Sequence, residues 1–409
     1  MASSLSIHES SVPLDYTRAG KHLDNAIAFL MLGGASLILM VAFIIVSIPQ
    51  VLMRDEVRSM LQELSGVTLF FVVLLSYPHF AWSYRFAYQQ GIAFVARHSW
   101  QLIVYPLLVI TLLSCCVLSW NYPIHNFALL NVIENNLQYV GINLNWSLYK
   151  GCGQLLFASL LILQMVMSGH HYCMQALGVA LAGGEERGYT LTATQKKILR
   201  VNLYTLWAMN LFSGYAFFSM LNNRNFAYHT FQLPQPLYVI SCVAFAGSLS
   251  LVFLKILLPA FREEKKLPPL QAVVPILSIW IWLQPFLQPY MYQFLVVPIA
   301  HGAQNLFFAY KVESNNFDPI LSRKLVKSSI GKAIFLISLT AIMISIGYMG
   351  FHTIPLFLDR SRLIADLTPN FFFLAAFILI STHHYLLDSV VWRSDSRAKI
   401  VLQPASSSI

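Results

Sequence analysis

The chain has 409 residues, 57% of them hydrophobic and only 11% charged, with a mean hydropathy of +0.62. A water-soluble domain carries about a quarter charged residues, so this composition excludes a soluble globular protein and makes lipid the solvent of most of the chain. The formal charge of +9 rests on Lys and Arg in short stretches between apolar runs rather than on a basic face, so a nucleic acid partner is not expected.

In chain order, residues 1–24 are polar and read as a cytoplasmic tail. A hydrocarbon core about 30 Å thick needs roughly 20 apolar residues in a helix, because only a helix or a closed barrel satisfies its own backbone in lipid. Ten runs meet that demand, near residues 25–48, 65–86, 101–120, 152–180, 199–221, 236–259, 269–287, 289–310, 332–351 and 369–392. The predicted fold is therefore an all-α polytopic transmembrane bundle of about ten helices over residues 25–392, followed by a cytoplasmic tail at 393–409. The first run lacks a small-residue cleavage site and is expected to remain in the protein. The seventh and eighth runs are divided only by Gln284, Pro285, Gln288 and Pro289, so nine and eleven are the neighbouring counts. The longest connection, 121–150, holds the polar stretch NLQYVGINLNW and is expected to cap the outer surface. Its tripeptide Asn145-Trp146-Ser147 is a glycosylation sequon of the kind that arises by chance.

Translocated loops are depleted of Lys and Arg, which orients the spans. Six basic residues (Arg54, Arg58, Lys150, Arg224, Arg360 and Arg362) fall on one side, and the other twenty of the 26 fall opposite. An even number of spans with both termini in the cytoplasm follows, as for an integral protein of a bacterial inner membrane.

Six of the twelve histidines lie inside predicted spans: His79 in the second, His170 and His171 in the fourth, His301 in the eighth, and His383 and His384 in the tenth. Ionisable groups are costly in a bilayer and mark a site, a proton path or a cofactor. All four spans run in the same direction, and each histidine falls in the cytoplasmic half, so a single layer is expected. The surroundings repeat: the fourth span reads His170-His171-Tyr172-x-x-Gln175 and the tenth His383-His384-Tyr385-x-x-Asp388. His301 has Gln304 three residues on and Asn305 four residues on. A polar residue four positions on lies one turn away on the same helical face, where it can fix a tautomer or complete a ligand set. Pro78 and Pro298 are expected to bend the second and eighth spans beside the site.

Several neutral imidazoles in a dry pocket suit a transition metal. The expected ligands are drawn from His79, His170, His171, His301, His383, His384 and Asp388, with Gln175, Gln304 and Asn305 behind them. Iron is the expected ion, acting on a hydrophobic, lipid- or isoprenoid-like small molecule that enters from the membrane lipids. Zinc with a hydrolytic water and bis-histidine haem are alternatives. So is a proton-coupled transporter, and so are histidines that only hydrogen-bond between helices.

The segments Tyr77-Pro78-His79-Phe80, His170 to Gln175 with Gly178, and His384-Tyr385 to Asp388 with Trp392-Arg393 resemble motifs of bacterial multi-pass membrane proteins distantly similar to the Brp/Blh-type carotene-cleaving oxygenases. The resemblance covers short patches. It implies iron-binding roles for His79, His171, His301 and His384; the leading expectation for the chain is an intramembrane metal-dependent oxidoreductase, an oxygenase, desaturase or hydroxylase.

Elsewhere Lys255 and Arg85 are expected to snorkel to the interface. Gly33-Gly34-Ala35 offers a surface for close helix contact. The five cysteines lie in apolar runs without metal-type spacing, and no P-loop, dinucleotide fingerprint, serine elbow or HExxH is present.

Overall fold

The computed structural model describes residues 24–39, 70–124, 128–139, 151–213, 235–262, 267–283, 291–321, 329–364 and 366–393. Among them every regular element is helical: α1 (Asp24–Leu39), α2 (70–88), α3 (Ile92–Arg97), α4 (Trp100–Leu118), α5 (Ala128–Tyr139), α6 (Cys152–Glu186), α7 (Ala193–Ser213), α8 (Pro236–Arg262), α9 (Leu270–Trp282), α10 (Met291–Leu321), α11 (329–361) and α12 (Phe371–Val391). Five of these, α4, α6, α8, α11 and α12, are long and apolar enough to cross a membrane, while α1 and α9 are apolar but shorter. The polar tails, apart from Asp24 and Arg393, the Asn145 sequon and the Gln284–Pro289 break lie outside the described residues.

The predicted bounds shift in physically sensible ways. The fourth run extends as α6 to Glu186 and the eighth as α10 to Leu321, each continuing past its apolar segment into charged sequence. Nothing in helix geometry stops a chain at the edge of its apolar stretch. The connection at 121–150 holds a helix of its own, α5, which no sequence feature was expected to form. None of its residues is buried, and Leu129, Val132, Ile133 and Tyr139 are exposed.

Prolines shape the spans. In α2 the N–H of Tyr77 bonds to the carbonyl of Val72, five residues back, in a wide turn that ends two residues before Pro78. The same arrangement precedes Pro106 in α4, Pro259 in α8 and Pro355 in α11. A proline has no N–H and its ring strikes the carbonyl four residues back, and a π turn moves that carbonyl aside without breaking the helix. The remaining wide turn, in α1, carries Gly33 at a φ of 135° and no proline. At Pro298, α10 continues as α-helix without a wide turn.

Packing separates inner from outer helices. Half of the most apolar window of α6 and of α12 is buried inside the protein (50% each), against 17% for α4, α8 and α11. The outer three leave Leu107, Ile240, Val243 and Ile337 exposed, a surface suited to lipid rather than water. In the interior α2 and α6 each pack against both α10 and α12, so the four helices alternate around a ring. Two glycines let neighbours close on α2. A Cβ on Gly302 of α10 would lie 2.6 Å from the Leu75 carbonyl oxygen, and one on Gly347 of α11 would lie 2.5 Å from that of Tyr77. On α1, Gly33 meets Ser278 of α9, and the Ser36 and Ser278 hydroxyls hydrogen-bond at 2.6 Å, so this small-residue segment is a helix contact.

Candidate metal centre

The ring of four helices aims one histidine from each into a common space. On α2 the buried positions His79, Trp82, Ser83, Phe86 and Ala87 form one helical stripe, so packing of the large rings forces His79 inward with them. On α10, His301 precedes the glycine whose close approach to α2 brings its ring within 4.8 Å of that of His79. The two doublets resolve alike. Neighbours on a helix point about 100° apart, so only one of each pair can face the ring, and in both it is the second, His171 and His384.

The His79 ring centroid lies 4.8 Å from that of His301 and 4.7 Å from that of His384, and His171 lies 4.8 Å from His301 and 5.2 Å from His384. Ligand atoms of His79, His301 and His384 all lie within 4.8 Å of one another, and so do those of His171, His384 and Asp388. This falls inside the roughly 3–5 Å that separates donors each about 2 Å from one ion. The rings meet edge to face and do not hydrogen-bond to one another. Seven of their nitrogens, both of His79, His301 and His384 and Nε2 of His171, are buried without a hydrogen-bond partner. A buried donor or acceptor left unmade costs about 1–3 kcal/mol, and each neutral imidazole carries one N–H and one lone pair, so an ion at the centre would take up one nitrogen of each of the four rings.

Asp388 closes the cluster. One of its oxygens, Oδ2, lies 3.5 Å from His384 Nε2 and 3.6 Å from His171 Nε2. Ser83 Oγ donates to its Oδ1 at 2.7 Å, and Asn305 Nδ2 donates to Oδ2 at 3.4 Å. Sequence reasoning missed Ser83, although it stands four residues after His79, the spacing of His171 to Gln175, His301 to Asn305 and His384 to Asp388. All four ligand candidates thus carry a polar residue one turn on.

The other predicted residues divide. His170 turns away from the cluster onto Tyr204 and Trp207 of α7, with ring centroids at 5.6 and 5.4 Å. His383 also points elsewhere, its Nδ1 2.8 Å from the Tyr84 hydroxyl. Both were expected as possible ligands and the geometry leaves them out, because the ring's interior admits one face of each helix. Gln175 and Gln304 lie behind the site: Gln175 Nε2 donates to the His301 carbonyl at 2.9 Å and to Gln304 Oε1 at 3.3 Å, and Gln304 Nε2 donates to the Leu32 carbonyl at 2.9 Å. They tie α6, α10 and α1 together. The two tyrosines of the repeated His-His-Tyr motif, Tyr385 buried and Tyr172 partly buried, flank the imidazoles. Tyr385 stacks on His171 at 4.4 Å and hydrogen-bonds Ser168 at 2.5 Å, and Tyr172 lies 4.8 Å from His301.

Arg85 does not snorkel as a free cation. Its Nε donates to Oε1 of buried Glu313 at 3.0 Å. Glu313 lies beyond the predicted end of its span, so the pairing was invisible in sequence. Lys255 is exposed, in keeping with the interfacial expectation.

A cavity of about 580 Å³ reaches the cluster from one side, lined by α6, Trp207 of α7, Asn305 and Phe308 of α10, and the stretch Tyr385 to Trp392 of α12 and its end. His171 and Asp388 stand at its polar end. No family model, curated protein or solved structure matches the chain.

Proposed function

We propose that His79, His171, His301 and His384, with Asp388, hold a transition-metal ion, iron in preference to zinc, and that the protein is an intramembrane oxidoreductase acting on a hydrophobic small molecule. The observation that carries this reading is the convergence of four imidazoles from four helices with seven unpartnered, buried nitrogens. Iron is favoured because His171, His384 and Asp388 make a two-histidine, one-carboxylate group, the donor type of non-haem iron sites with open positions. The resemblance of the YPHF and HHY segments to bacterial multi-pass membrane proteins distantly similar to the Brp/Blh-type oxygenases points the same way.

When bound, such an ion supplies one-electron and dioxygen chemistry that no side chain can perform. The chain's own residues would do the rest. Ser83 and Asn305 hold the Asp388 carboxylate in place, Tyr385 and Tyr172 fix the faces of His171 and His301, and the surrounding aromatic and aliphatic walls exclude water. A porphyrin is less well supported, since four edge-on rings 4.7–5.9 Å apart crowd the plane it would need. The architecture that goes with this reading has ten spans, both termini in the cytoplasm and the histidine layer in the cytoplasmic half.

The test is metal analysis of detergent-purified protein beside the His171→Ala, His384→Ala double variant. About one equivalent of iron is expected in the wild type and none in the variant. Wild-type protein that takes up no iron, zinc, manganese or copper would remove the proposal.

A further inference from the structure

No residue of α5 is buried, yet its side chains sort into three sides. At about 100° per residue, Leu130, Glu134 and Leu137 share one stripe, and they are the partly buried positions of the helix. Leu130 packs on Leu155 and Ala158, in the first two turns of α6. Beside that stripe stand Leu129, Val132 and Ile133, 68%, 54% and 37% exposed. The remaining side is polar, made of Asn131, Asn135 and Gln138, all exposed. Asn136 interrupts the apolar side, but its Nδ2 donates to the Val132 carbonyl at 2.8 Å, which leaves only its oxygen to be hydrated. Tyr139 stands where the apolar and polar sides meet.

The neighbouring chain fixes the height of this helix. The Cys152 N–H donates to the Tyr122 carbonyl and the Gly153 N–H to the Ser119 carbonyl, each at 2.8 Å, so α6 begins where α4 ends. Both are long and apolar enough to cross a membrane, and exposed apolar surface continues along α4 to its last residue, Leu118. Through Leu130, α5 docks at the level where these two helices would enter a bilayer, not above it. Water is a poor match for a side made of Leu129, Val132 and Ile133. A second copy of the chain is a poor match as well. A helix of 12 residues is about 18 Å long, and one side of it falls far short of the roughly 800 Å² per partner of a stable protein interface.

We infer that α5 is an interfacial helix whose partner is the lipid surface. It lies along the leaflet that meets the first turns of α6, with Leu129, Val132 and Ile133 at the acyl-chain boundary, Asn131, Asn135 and Gln138 in water and Tyr139 at headgroup level. Its charge names the lipid. The helix holds no Lys or Arg and one acidic residue, Glu134, so nothing in it seeks anionic headgroups and zwitterionic lipid suffices. Because the connection is tied to a span at each end, the helix stays at the surface without electrostatic attraction. It is seated in lipid rather than standing above it as a cap, whatever the histidine cluster binds.

The experiment places a photoreactive benzophenone amino acid singly at Leu129, Ile133, Asn131 or Gln138 of the full chain, in liposomes of phosphatidylcholine and in liposomes with phosphatidylglycerol added. All four positions are exposed, so the probe disturbs no packing. The two polar-side probes carry the same ring and show whether the ring itself draws the helix into lipid. After irradiation, mass spectrometry measures lipid adducts and gel electrophoresis measures cross-linked dimers. Leu129 and Ile133 should give at least about fivefold more lipid adduct than Asn131 and Gln138, by the same ratio in both liposomes. Equal adducts at all four positions, or none at Leu129 and Ile133, would overturn the inference. Dimers in excess of lipid adducts at Leu129 or Ile133 would give the apolar side to a second copy and overturn it too. A ratio that rises with phosphatidylglycerol would overturn the assignment to zwitterionic lipid.

Discussion

His384 is the residue on which the two candidate ligand groups overlap, one with His79 and His301 and the other with His171 and Asp388. Substituting it removes a donor from both, so His384→Ala should abolish metal uptake, whereas His79→Ala and His301→Ala should weaken it by at least about tenfold. His170→Ala and His383→Ala should retain the wild-type metal content, since their rings face Tyr204 and Tyr84 instead. Elemental analysis of all five variants checks the ranking, and metal loss in His170→Ala equal to that in His384→Ala would contradict it. Ser83 acts one step further out, on the Asp388 carboxylate at 2.7 Å. Groups that orient ligands typically account for about 10–100-fold in metal affinity, so Ser83→Ala should weaken binding toward the lower end of that range. A metal titration that cannot separate Ser83→Ala from the wild type would show that Asp388 needs no such support.

The helices bring these residues together by close approach at particular glycines. At Gly302 the atom in the way of a Cβ is the Leu75 carbonyl, 2.6 Å distant, and backbone cannot swing aside as a flexible side chain can. Gly302→Ala should therefore push α10 off the wide turn of α2, lower stability by about 1–3 kcal/mol and separate His301 from His79. The comparison is Gly178→Ala, where the added methyl meets open space and helix propensity improves by up to about 1 kcal/mol. Thermal melts of the two variants in the same detergent should move in opposite directions. The repeated pairing of a π turn with a proline two residues later adds a second test at this scale. Pro78→Ala removes the need for the turn at Val72–Ser76, and recovery of a regular helix would rotate everything before it relative to His79. Gly302 would then lose its seat, so the variant should bind metal more weakly although no ligand has changed.

At the scale of the whole molecule, the separation into two half-buried doublet helices and three largely exposed outer ones is what a bilayer protein with an interior site requires. If ten spans carry the chain with both ends inside, a cysteine placed in either tail of the full-length protein should react with a membrane-impermeant maleimide only after the membrane is opened. A cysteine at Tyr139, on the exposed helix between α4 and α6, should react from outside without that treatment. Labelling of either tail in intact cells would break the assigned orientation.

Hydropathy alone decided that this chain is helical and lives in lipid, because the backbone's need for internal hydrogen bonds leaves long apolar segments little choice. Spacing alone pointed to the histidine layer, since a few imidazoles among apolar residues stand out, and the polar residue one turn on favoured His171 and His384 but left His170 and His383 as candidates, a choice that packing made. Both signals are local, written along one helix at a time. Ser83 carried that same spacing signal, yet its partnership with Asp388 joins residues 305 positions apart. The Gly302 contact, the Arg85–Glu313 pair, the tyrosines flanking the imidazoles and the cavity depend on the rotation and separation of neighbouring helices. Only tertiary packing decides those, because many rotations bury a similar apolar area and few of them place four imidazoles and a carboxylate around the same space.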